Sequence, residues 1–182
     1  MWVRLFTIAA LTIAALTIST TAAQNPVGPI AAVGTFFNPR YAEDRTAGYT
    51  VQLWRQGDIA LGLISVEALS GDGPIGMLTN IKFEERTGKL SFEAKLSLGM
   101  RLLAGNSQQA SRDLFRFRGT VVKDILSGNL THSDLLDPAS GETSMRLRLP
   151  KQAAGTTMEP KTYAEWKAAA DESLKLRGPK WE

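Results

Sequence analysis

The feature that most constrains this chain is a period-two alternation of apolar and polar residues that runs from Val33 to Pro150. Only turn residues interrupt it. A period of two puts every second side chain on one face of an extended strand, whereas a helix needs a period near 3.6. Eight segments carry the pattern: 33–38, 48–55, 59–68, 75–84, 89–97, 114–122, 125–134 and 143–149. No helical pattern separates them, so each strand is expected to pair antiparallel with its sequence neighbour.

The links carry recognisable turn chemistry. "RQGDI" at 55–59 and "ERTGK" at 85–89 place glycine where a hairpin demands positive φ, and Lys123-Asp124 is a short polar break. "SGDGP" at 70–74 and "DPASGE" at 137–142 are longer turns, and residues 99–113 form the longest connection, with room for one short helical turn. The phase of each strand is legible. Leu90, Phe92, Ala94 and Leu96 share one face; Phe115, Phe117, Gly119 and Val121 oppose Arg116, Arg118 and Thr120; Met145, Leu147 and Leu149 oppose Arg146 and Arg148. One dry face and one wet face mark an antiparallel sheet packed on one side. "IALGLISVEAL" and "IGMLTNIKF" alternate less cleanly, as strands covered on both faces would.

The two ends of the chain differ from its middle. Arg4 precedes an apolar run from Leu5 to Ile18, and small residues follow, so residues 1–23 read as a cleaved signal peptide and 24–32 as an extended leader. The run is short against the roughly 20 apolar residues of a membrane-spanning helix. Residues 151–161 are a polar linker, and Thr162 with Glu165 forms a capping box that opens a helix over 162–177. Tyr163, Trp166, Ala170 and Leu174 line one stripe of that helix, a docking face for the outside of the sheet.

Eight sequential antiparallel strands hide their edges best by closing into an up-and-down barrel, with a two-sheet sandwich as the alternative. The expected fold is thus mainly β, an eight-stranded meander over 33–150 with a C-terminal helix. With "GTFF" at 34–37 opening the first strand and a helix after the last, the chain resembles the lipocalin-like and avidin-like barrels, the calycins. It is also similar to small exported bacterial β-modules. The calycin resemblance implies an interior able to take one small ligand and carries over no particular ligand residue.

Two groups of residues stand out as candidate sites. Gly119 and Gly128 fall on the inward face, where glycine marks either a bend of the barrel or space beside Phe92, Phe115 and Phe117 for an apolar ligand. Outward, Arg116, Arg118, Arg146 and Arg148 surround Asn129 and Thr131, a surface for an anionic or envelope partner unless nearby carboxylates such as Glu93 and Glu142 neutralise it.

Other chemistry is excluded by composition. The chain has no cysteine, which removes thiol catalysis, disulfides and cysteine-type zinc sites. Its one histidine, His132, lies near Asp134 and Asp137 without a second imidazole, so no metal site and no catalytic residue is assigned, and a surface or turn position is expected. No cofactor is implied. The net charge of +3 is too mild to argue for nucleic acid or an anionic membrane surface. The expected function is an exported, non-catalytic barrel that binds a small apolar ligand or an envelope partner. A small outer-membrane barrel and a secreted enzyme are the alternatives.

Overall fold

The computed structural model describes residues 28–42, 45–67, 73–102, 105–153 and 159–182; the expected signal peptide, residues 24–27 of the leader and 154–158 of the linker lie outside them. The strands are β1 (Ala31–Ala42), β2 (Arg45–Gln56), β3 (Ile59–Glu67), β4 (Ile75–Glu84), β5 (Lys89–Leu96), β6 (Met100–Leu102), β7 (Gln108–Ala110), β8 (Asp113–Val122), β9 (Ile125–Asp134) and β10 (Glu142–Pro150), followed by α1 (Tyr163–Arg177). Eight of them form one antiparallel sheet in the order β1-β2-β3-β4-β5-β8-β9-β10. Spatial order therefore follows chain order, and the sheet curls into a half-barrel instead of splitting into a sandwich.

The expected helical turn within 99–113 is replaced by a two-stranded ribbon, Met100–Leu102 against Gln108–Ala110. The alternation of "MRL" and "QQA" is too short to register as strand, but pairing across the turn lets both segments satisfy their backbone groups. The β8–β9 link is a two-residue turn with positive φ at both Lys123 and Asp124, the backbone twist that antiparallel neighbours favour.

The concave side of the sheet is a continuous apolar core built from the phases read above. Phe92, Phe115, Phe117, Leu126 and Leu130 meet Phe36, Val51, Leu53 and Ile64 there. In β4 a bulge between Thr79 and Lys82, with Asn80 at φ 50°, switches the inward set from Leu78 to Ile81 and Phe83. That switch explains the imperfect alternation of "IGMLTNIKF". It also peels β4 away from β3, whose pairing is confined to Leu63–Ser65 with Ile75–Met77.

A second core lies on the convex side. Trp54, Leu63 and Ile75 point outward from β2, β3 and β4 and are covered by Trp166 and Ala170 of α1, flanked by Tyr163 and Leu174. The stripe expected to dock does so, and the middle of β3 and the first half of β4 are covered on both faces, while β4 beyond Leu78 turns Thr79, Asn80, Lys82 and Glu84 to solvent. Thr162 caps the helix by accepting the Glu165 N–H at 3.2 Å, while the Glu165 carboxylate accepts the Lys161 N–H at 2.8 Å.

The first and last strands meet at one end only. Phe36 bridges to Lys151, and the Gln152 N–H donates to the Thr35 carbonyl at 2.8 Å. Further along, Asn38 reaches the Arg148 carbonyl only through its side chain, at 3.4 Å. From there the seam opens.

Candidate functional site

Phe92, Phe115 and Phe117 lie inside the curl, each 2% exposed or less. Phe92 and Phe117 stack at 5.0 Å. Gly119 and Gly128 sit directly opposite one another on β8 and β9. The space above the pair is occupied by the Phe117 ring, whose Cζ would lie 2.6 Å from a Cβ on Gly119 and 2.8 Å from one on Gly128. Here the glycines admit an aromatic ring of the chain itself. Where β3 and β4 separate, a hollow of about 690 Å³ opens between Ala60, Ile81 and Phe83 and reaches Gly119 from the side.

The arginines divide into two kinds. Arg116 is neutralised by Glu142 at 2.7 Å and Glu93 at 3.5 Å. A hydrogen bond from Ser133, together with the Arg116 guanidinium, holds the Glu142 carboxyl below its ordinary range. Arg118, Arg146 and Arg148 have no carboxylate within salt-bridge distance among the described residues, although all three are exposed. The cross-strand register sets Arg118 beside Asn129 and Asn129 beside Arg146, with Arg148 beside Ser127 one row away.

The opened seam forms a cleft of about 390 Å³ between β10 and the β1–β2 pair. Tyr49, Leu147 and Leu149 line its apolar side, and Asn38, Arg146 and Arg148 its polar rim. Tyr49 packs edge-on against Phe115 with ring centroids 6.3 Å apart. Burial pushes its phenol above the ordinary value. The strand phase of β2 marks Tyr49 as inward, together with Val51 and Leu53, but only the meeting of first and last strands brings it to Arg146 and Arg148.

A polar cluster lies beyond Phe115, at the strand ends towards which the seam opens. His132 does not lie in a turn or on the open surface: it belongs to β9, its ring stacks on Phe115 at 4.7 Å, and Nε2 contacts Asp113 Oδ1 at 2.7 Å. Asp113, 1% exposed, also accepts the Leu98 N–H at 2.9 Å and the Ser111 hydroxyl at 2.5 Å. The aspartate thus stands between serine and histidine. A nucleophile needs its hydroxyl on the imidazole instead, so this order secures the β5–β6 and β7–β8 connections without activating Ser111. Asp134 pairs with Arg101 beside it. Among the described residues no group of three histidine or acidic side chains could hold a metal ion.

No helix among the described residues is long and apolar enough to cross a membrane. No protein-family model matches the chain, and no curated protein and no solved structure matches it either.

Proposed function

We propose that this chain is an exported, non-catalytic binding protein whose ligand is a small amphiphile, an apolar body ending in an anionic group, held in the seam cleft. The observation that carries the reading is the combination of Tyr49, Leu147 and Leu149 with the guanidinium groups of Arg146 and Arg148, which have no carboxylate within salt-bridge distance among the described residues, around a volume of about 390 Å³. Small-molecule sites are typically mostly apolar clefts of roughly 300–1,000 Å³ with a few polar groups that fix orientation. The ligand is placed at the seam because Phe92, Phe115 and Phe117 fill the middle of the concave side, while the hollow beside Ile81 and Phe83 carries the carboxylates of Asp58 and Glu84 on its lining, which disfavour an anionic group. The signal-like leader supports export, and the calycin resemblance supports a barrel-type binder with one small ligand.

The alternatives have less behind them. An enzyme needs an activated group, and the Ser111 hydroxyl donates its hydrogen bond to the Asp113 carboxylate, not to an imidazole. A membrane barrel turns its apolar side chains outward to lipid. Here the phenylalanines of β5 and β8 face inward and Arg116 and Arg118 outward, the opposite polarity.

Fluorescence titration with anilinonaphthalene sulfonate, alongside its uncharged analogue phenylnaphthylamine, tests the proposal. Saturable binding of the anionic probe is expected, weakened about tenfold by Arg146→Ala with Arg148→Ala, while the neutral probe changes by less than about twofold. Absence of saturable binding, or equal losses for both probes, would overturn it.

A further inference from the structure

The register of the sheet lines up five outward side chains across five adjacent strands. Lys82 on β4 lies opposite Ser91 on β5, Ser91 opposite Arg118 on β8, Arg118 opposite Asn129 on β9, and Asn129 opposite Arg146 on β10. Strands are spaced about 4.8 Å apart, so the three cations recur at roughly 10 Å intervals along a line perpendicular to the strands. The residues between them are a hydroxyl and an amide. None of Lys82, Arg118 and Arg146 has a carboxylate within salt-bridge distance among the described residues. On one side of the row Arg116 is cancelled by Glu93 and Glu142. On the other, Lys89 and Arg148 add positive charge beside Thr120 and Ser127, against the one carboxylate of that row, Glu84, which is itself engaged by Arg86 and Thr87.

We propose that this row binds a linear polysaccharide bearing carboxylate or sulfate groups, laid across the strands from Lys82 to Arg146. Three observations select that occupant. First, a one-dimensional array of cations with intervening hydroxyl and amide groups matches a chain whose anions recur and whose hydroxyls fill the intervals. Second, the row follows the convex side of a curled sheet. A flexible polymer can follow that curvature, whereas a flat anionic surface touches only its crest. Third, neither the row nor the two rows beside it carry an aromatic side chain, the platform on which single-stranded nucleic acids stack their bases. A hollow of about 290 Å³ beside Arg118, Asn129 and Thr131 gives the middle of the row relief into which a sugar ring settles.

The surface is distinct from the seam cleft, with Arg146 the one residue that belongs to both. The test therefore rests on Lys82 and Arg118. The full chain is titrated with polygalacturonate and with dextran sulfate, with neutral dextran and oligothymidylate as comparisons. Binding to at least one anionic polysaccharide is expected, weakening as salt rises, with none to neutral dextran. Lys82→Ala with Arg118→Ala should lower the affinity roughly tenfold, while Lys167→Ala with Lys175→Ala on α1 changes it by less than about twofold. Equal losses in the two double variants would mean diffuse attraction and overturn the proposal, as would tighter binding to oligothymidylate or no binding to either polysaccharide. Both substituted sites in the row are exposed, so circular dichroism should be unchanged. Retained binding of anilinonaphthalene sulfonate by the Lys82/Arg118 variant separates this surface from the seam.

Discussion

At the scale of single residues, the Gly119–Gly128 pair shows what a sequence can and cannot say about an interior. Period-two phase assigns both glycines to the inward face, and the structure keeps them there, facing each other across β8 and β9. The identity of their neighbour was not legible. Phe117 is only two positions from Gly119 on the same face, and its ring leans along the strand over both glycines, a choice made by rotamer and packing. Gly128→Ala would drive a methyl against that ring and against the Arg118 carbonyl. Overpacking of this kind costs about 1–3 kcal/mol, and urea unfolding should register a fall in that range with an unchanged m-value. A loss below about 0.5 kcal/mol would mean that the space above the glycines is free.

Among the elements, α1 was the most readable and the β6–β7 ribbon the least. The helix announces itself by Thr162, Glu165 and an apolar stripe, and the surface it covers is foreshadowed by the near-continuous apolar runs of β3 and β4. The ribbon has three-residue strands and no phase to read. The bulge at Asn80 was equally hidden, because a residue in the left-handed region leaves no periodic trace. Trp166 is 2% exposed and holds the helix to Trp54, Leu63 and Ile75. Trp166→Ala should therefore cost about 3–5 kcal/mol in thermal or urea unfolding. If the cost were near zero, the helix would be an ornament on a self-sufficient sheet.

For the whole molecule, the order of strands follows from sequence alone, since each pairs with the next. The closure does not. Phe36 meets Lys151 across nearly the entire domain, a pairing that no local pattern encodes, and the seam cleft with its arginine rim is a product of that closure. Tyr49 reports on it. Because burial raises its pKa above 10.0, the folded chain keeps a proton that the unfolded chain loses. Its contribution to stability is complete below about pH 10 and falls as pH rises above that value. Between pH 8 and 11 the wild-type chain should lose more stability than Tyr49→Phe, which has no phenol to titrate; identical alkaline limbs would contradict burial of this phenol against Phe115.

The edge-to-face packing of Trp54 and Trp166, with ring centroids 6.0 Å apart, has an optical consequence. Two indoles at that separation share their electronic transitions, and their coupled band in near-ultraviolet circular dichroism depends on the angle between them. One ring belongs to the sheet and the other to the tail, so the band vanishes when α1 lifts away, even while every strand remains paired. The chain thereby carries its own spectroscopic gauge of whether its last helix is attached.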